Sequence, residues 1–141
     1  EVWKKLLEEA GKTVKYPGKA VRVAYRGLID GYKTNYYENR DKSPYKDYSS
    51  FKSYLKNSAY AGKDYKAEIT EEAKQIVLEQ LVLHRLVEMY DVTLTSSQES
   101  MLTIYKLYMS EKAAETARTS YLFDNVMQKI AEGICPAVKK N

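Results

Sequence analysis

The sequence predicts an all-α fold, and three observations carry that prediction. Ten of the fifteen residues from Ile76 to Tyr90 are apolar. They point in nearly every direction around a helix, so this segment reads as a central helix covered on several sides. Apolar residues before and after it recur at helical spacing, with hydroxyl and acidic residues where helices begin. The one stretch that alternates like a strand is Tyr90 to Thr95 (YDVTLT), with Val92 and Leu94, and it reads as an extended link. The expected architecture is one helical domain over residues 1–141 with five to six helices.

The first helix is expected over residues 1–11, where VWKKLLEEA places Trp3, Leu6, Leu7 and Ala10 on one side and Gly11 is positioned to stop it. Thr13 to Gly18 is a connector whose Pro17 suits the first turn of a helix. A long helix over residues 17–37 follows, with Val21, Tyr25, Leu28, Ile29, Tyr32 and Tyr36 at helical spacing. Gly27 and Gly31 stand four apart on one face of it, and each costs a helix ~1 kcal/mol relative to alanine. Close approach of another helix is the preferred reason for them, a point of bending the other. Residues 38–68 read as a loop and a short helix. Glu38 to Ser50, with Pro44, is the best candidate for a mobile excursion, and Phe51, Tyr54, Leu55 and Ser58 form a short helix closing near Gly62.

The central helix is expected over residues 70–90, with Thr70 as its cap and Glu71 and Glu72 at the positive end of its dipole. After the link, Ser96 and Glu99 have the spacing of a capping box. The C-terminal helices are expected over residues 96–131. Met101, Ile104, Tyr105, Tyr108 and Met109 form one apolar face, and Ala113, Ala114 and Ala117 support a polar continuation. Tyr121, Leu122, Val126, Met127 and Ile130 make a last amphipathic segment, ended by Gly133 and Pro136 before a loose Lys139–Asn141 tail.

Composition bounds the function. Charged residues make up 30% and hydrophobic ones 44%, as in an ordinary globular protein. No apolar run reaches the ~18 uncharged residues of a membrane span, because Glu79, His84, Arg85 and Glu88 interrupt the best candidate. The chain opens at Glu1 and reads as a processed product or excised fragment. Cys135 is the single cysteine, which leaves no internal disulfide and fits a reducing cytoplasm. The net charge of +4, from 23 basic and 19 acidic residues, falls short of a nucleic-acid footprint. Tyrosine is abundant: 14 against 2 phenylalanines and 1 tryptophan, with ten of the 14 between Tyr16 and Tyr65.

No constellation points to catalysis. His84, the only histidine, lies beside Arg85 without the partners of a metal site and reads as a satisfied or half-buried structural residue. Cys135 has Lys139 and Lys140 nearby, which favour a thiolate, but no histidine, and reads as an inert thiol. Helix ends account for Glu8, Glu9, Glu71 and Glu72. Phosphate loops, nucleophile elbows and kinase motifs are absent from the sequence. The expectation is therefore a protein that is no enzyme and uses no cofactor or metal. Lysines and tyrosines alternate between Tyr32 and Lys66 in a way that suits single-stranded nucleic acid. Asp30, Glu38, Asp41, Asp47 and Asp64 in and around that stretch dilute the charge, so this is the weakest of the readings.

The order of elements resembles the C-terminal, substrate-binding domain of the bacterial ribosome-associated chaperone trigger factor. The likeness runs through VWKKLLEEA and KYPGKAVRVAYRGLIDGYK, through the central EEAKQIVLEQLVLHRLVEMYDVTLTSSQE, and through the closing RTSYLFDNVMQKIAE. It covers nearly the whole chain as a pattern of element types. TSSQES stands where the family carries a glutamate-rich helix start, and the segment between the last two helices is short. The ribosome-docking loop and the FKBP-like prolyl isomerase domain of full-length members are missing from this sequence. Helical domains of SurA-like and PrsA-like chaperones share the same helix–link–helix logic.

The resemblance implies an extended α-helical domain whose arms embrace unfolded or nascent polypeptide without ATP, in the cytoplasm, or outside it if the SurA/PrsA likeness prevails. It also leaves room for ribosome contact through parts absent from this chain, and for a homodimer. Tyrosine and methionine suit such a cradle, one rigid and amphipathic, the other flexible and polarizable. Tyr25, Tyr32, Tyr36, Met101, Tyr105, Tyr108, Met109 and Met127 are the candidate polypeptide-binding residues, with helix packing the competing role for each. The alternative function is a helical scaffold or self-association module with a fixed protein partner.

Overall fold

The computed structural model describes the backbone of residues 1–140 and the side chains of residues 1–132. Six α-helices and no strand occur among the described residues, so the fold is all-α. They are α1 (Val2–Thr13), α2 (Gly18–Glu38), α3 (Phe51–Tyr54), α4 (Tyr65–Met89), α5 (Ser96–Tyr108) and α6 (Glu111–Lys140). A 3-10 turn at Tyr45–Asp47 precedes α3, and a π turn at Leu55–Ala59 extends it. No helix of the described residues is long and apolar enough to cross a membrane. The chain forms two compact units: Ala10–Glu79, and Glu1–Glu9 together with the residues from Gln80 onward.

The Ala10–Glu79 unit is built on Tyr36, Leu55, Ile69, Ala73, Val77 and Leu78, all buried. α1 enters it without stopping at Gly11. A Cβ built on Gly11 would lie 3.6 Å from Leu78 Cδ2, and Val14 N–H closes the last turn on Ala10 O at 3.0 Å. The polar loop after α2, expected to be a mobile excursion, is tied down instead. Arg40 Nη1 donates to Tyr45 O and Tyr48 O at 2.7 Å each, and its guanidinium lies 4.8 Å from the centre of the Tyr36 ring. Tyr36 in turn packs against Phe51 and Tyr54 with ring centres 5.7 and 5.6 Å away. Ser50 Oγ accepts from Ser53 N–H and caps α3. Gly62 takes φ +77°, a conformation that favours glycine, where the chain turns toward α4.

α4 begins five residues before the expected start. Asp64 Oδ1, not Thr70, accepts from the first amides, those of Lys66 at 3.1 Å and Ala67 at 3.4 Å. Thr70 lies inside the helix, its hydroxyl donating to Lys66 O at 2.7 Å. The apolar stripe reaches back to Ile69, and an aspartate one residue before the first turn is a strong cap. α4 is also not covered all round. Leu81, His84, Arg85 and Glu88 share an exposed face, so His84 is a surface residue, its Nε2 2.9 Å from Glu88 Oε1.

The other unit is centred on Leu83, Leu86, Val92, Val126 and Ile130, with Trp3 meeting Phe123 edge-on at 4.9 Å. α4 ends in a Schellman motif. Val92 N–H reaches Val87 O at 3.0 Å, Asp91 N–H faces Glu88 O at 3.4 Å, and Asp91 sits in the left-handed region at φ 51°. The capping box of α5 falls one residue earlier than expected, on Thr95 and Gln98. Gln98 N–H donates to Thr95 Oγ1 at 3.1 Å, and Thr95 N–H to Gln98 Oε1 at 2.9 Å. Asn125 of α6 fixes that choice, since its amide exchanges bonds with Gln98 and donates to Thr93 O at 3.0 Å. α6 is one helix where two segments were expected. Alanines favour it, and Thr116 and Thr119 bond back to Lys112 O and Glu115 O. Its bounds pass the stop expected at Gly133 and Pro136. The readings of the Cys135 thiol and of Asn141 lie outside the described residues.

Candidate functional site

α5 and α6 form an αα-hairpin joined by only Met109 and Ser110. Met109 N–H and Ser110 N–H both bond to Tyr105 O, at 2.8 and 3.0 Å, and Ser110 Oγ caps α6 by accepting from Ala113 N–H at 3.0 Å. A hairpin this tight holds the first turns of α6 beside the last turns of α5. One α5 position, Leu102, is buried. Successive residues turn by about 100°, so Met101, Ile104 and Tyr108 recur at three- and four-residue steps on a side away from Leu102 and are exposed.

Exposure rises toward the hairpin tip: Leu107 is 73% exposed, Tyr108 82% and Met109 67%. A row of large apolar side chains left in water has a recognised meaning, because a monomer seldom exposes them contiguously unless something else covers them. Next to this row lies a shallow hollow of about 480 Å³, lined by Tyr105, Met109, Ser110, Lys112, Ala113, Thr116 and Ala117. Its floor is apolar because Ala113 and Ala117 sit one turn apart on α6. Tyr121 stands beside Tyr105, and burial first, then the Tyr105 hydroxyl, push its pKa up from the ordinary tyrosine value.

The other side of the hairpin has a different character. A hollow of about 310 Å³ is lined there by Glu99, Leu102, Thr103, Lys106, Glu111, Ala114, Glu115 and Arg118. Lys106 and Glu111 approach to 3.5 Å, and Arg118 and Glu99 to 4.0 Å, so both cations of this side have acidic partners.

The structure brings four of the eight candidate residues together: Met101, Tyr105, Tyr108 and Met109. Met127 is half-buried against the core of the same unit. Tyr25, Tyr32 and Tyr36 belong to the Ala10–Glu79 unit. Tyr36 is 1% exposed and donates to Tyr48 O at 2.7 Å, so it is a core residue with no surface to offer. Tyr32 is half-buried, with its hydroxyl 3.2 Å from Glu72 Oε2, and Tyr25 is half-buried. Ile104 and Leu107 belong to the exposed row but were not among the candidates. Their signal was available: α5 carries more large apolar residues than one buried side can use. Gly27 and Gly31 serve no helix contact among the described residues, since a Cβ built on either meets nothing within 4 Å.

Compared with known protein families, curated proteins and solved structures, the chain matches none.

Proposed function

We propose that this chain is a non-catalytic, ATP-independent binder of unfolded or nascent polypeptide, comparable in role to the C-terminal domain of trigger factor and acting in the cytoplasm. The observation that carries the reading is the exposed apolar row from Met101 to Met109 beside the Ala113–Ala117 hollow. Such a surface offers many shallow contacts and no enclosed pocket, which suits weak binding of varied apolar segments. Release then needs no nucleotide, because folding of the client buries the groups that the hairpin held. Methionines and tyrosines adapt to different side chains, and nearby Lys112, Ser110 and Thr116 keep the surface hydrated.

The test is suppression of aggregation of a chemically unfolded model protein by a molar excess of the purified chain without nucleotide. Suppression that persists at moderate salt is the expected result. A folded chain that leaves aggregation unchanged would overturn the reading. A second reading, a scaffold with one fixed partner, is favoured by the regular four-three-four spacing of Ser97, Met101, Ile104 and Tyr108, which is the seam of a helix pair. It predicts one stoichiometric complex and indifference to unrelated unfolded proteins.

A further inference from the structure

We infer that the outward face of α2 is a separate interaction surface that docks an acidic amphipathic helix of another protein. The stretch of sequence that holds it is basic: residues 10–63 carry twelve basic and four acidic residues, although the whole chain carries only +4. Lys19, Arg22, Arg26 and Lys33 fall within an arc of roughly 60° over about 21 Å of helix, and all are exposed. No carboxylate among the described residues pairs with any of the four. In the other unit, Arg85, Lys106 and Arg118 all have acidic neighbours. Unpaired like charges along one helix repel each other, and an anionic partner relieves that repulsion.

The apolar and small residues of the same face decide what kind of anion fits. Val23 is 63% exposed and Tyr37 57%, so both have apolar atoms to offer a partner. Beside Val23, Gly27 and Gly31 leave the helix backbone bare, with nothing within 4 Å of either missing Cβ. These glycines weaken α2 as an isolated helix. They also allow a second helix to approach at the short end of the usual 8–10 Å interaxial range, about 8 Å. A phosphodiester track fits less well. It brings no apolar side chains to set against Val23 and the bare backbone at Gly27 and Gly31, and Tyr16, Tyr32, Tyr36 and Tyr60 are engaged elsewhere: Tyr36 in the core, Tyr32 and Tyr60 on Glu72, and Tyr16 beneath Lys74. A second copy of α2 would oppose cation to cation. An acidic helix, with carboxylates facing Lys19, Arg22, Arg26 and Lys33, a neutral residue opposite Asp30 and a small or apolar row facing Val23 and the glycines, meets the cations and the apolar atoms together.

The test uses the full chain and fluorescence anisotropy with a labelled synthetic amphipathic helix of about twenty residues, long enough to span α2. The probe carries glutamates along one stripe with alanine and leucine beside them. A twin with lysine in place of each glutamate and a single-stranded oligothymidylate are the competitors. Binding of the acidic helix alone is expected, weakening as salt rises. Arg22→Glu with Arg26→Glu should weaken it roughly tenfold or more, while Lys4→Glu with Lys129→Glu, equal in charge change but outside α2, should not. Gly27→Leu keeps every charge and raises helix propensity, yet should also weaken binding because it fills the saddle. Circular dichroism establishes that each variant is folded. Four results would overturn the inference: no binding by the acidic helix, equal binding by the lysine twin, tighter binding by the oligothymidylate, or a Gly27→Leu variant that binds as well as the parent.

Discussion

Residue by residue, the tyrosines divide according to where their hydroxyls go. Tyr60 donates to Glu72 Oε2 at 3.0 Å and lies 3.2 Å from the Tyr32 hydroxyl, which itself reaches the same carboxylate. Burial, then the hydrogen bonds to Tyr32 and Glu72, hold the Tyr60 pKa well above the ordinary value of 10.0. The fold therefore favours the neutral phenol. Its contribution is fully present below the unfolded-state pKa near 10 and is lost as pH rises toward and through the higher folded value. In an alkaline titration followed by tyrosinate absorbance, Tyr60 should ionise only as the Ala10–Glu79 unit unfolds, within a delayed component that Tyr54, also raised by burial and by Tyr45, shares. Tyr60→Phe should remove one tyrosine from that delayed component and lower stability at neutral pH by about 1 kcal/mol. A delayed component of unchanged size in Tyr60→Phe would assign it wholly to other residues. Composition makes the tyrosine excess plain but not its use. Glu72 lies 12 residues from Tyr60 and 40 from Tyr32, so nothing local in the sequence shows that these rings share one carboxylate.

Among the elements, helix interiors follow from side-chain periodicity, whereas their ends depend on single bonds. α2 was expected over residues 17–37 and occupies Gly18–Glu38, because its apolar positions repeat without interruption. The caps of α4 and α5 fall elsewhere than expected, since several hydroxyl and carboxylate residues compete for each. For α5 the decision is made by Asn125, 27 residues beyond Gln98 and invisible to any local rule. Thr95→Ala should therefore cost about 1 kcal/mol and Ser96→Ala much less, the reverse of the order that the capping-box spacing implies. Urea denaturation of the two variants separates them. The same measurement tests the glycines of α2. With open space where each Cβ would stand, Gly27→Ala and Gly31→Ala should each stabilise the chain by up to ~1 kcal/mol through helix propensity alone. A loss of stability would mean that these positions contact something after all. Their spacing suggests close approach of a helix, and no described residue of this chain supplies that partner.

For the molecule as a whole, apolar exposure and positive charge are greatest in different stretches of sequence: the α5–α6 hairpin carries the longest exposed apolar row, residues 10–63 the excess of cations. The hairpin face is half legible in the sequence. Its methionines and tyrosines stand out, but helical spacing alone cannot say which apolar side of α5 is buried, and the structure buries Leu102 while leaving Met101, Ile104 and Leu107 in water. That arrangement makes function and stability separable. Leu107 and Tyr108 contribute little to the core, so Leu107→Ser with Tyr108→Ser should change unfolding free energy by no more than about 0.5 kcal/mol for each substitution. If the hairpin holds unfolded polypeptide, the same double variant should lose most of its capacity to suppress aggregation. Tyr36→Ala acts in the opposite way. It removes a buried ring and its bond to Tyr48 O, and should cost about 3–5 kcal/mol without touching the hairpin surface. Suppression that follows Leu107 and Tyr108 while stability follows Tyr36 places client binding on the exposed row. Suppression unchanged in a folded Leu107→Ser, Tyr108→Ser chain would move the binding surface away from α5 and leave its apolar row to a fixed partner.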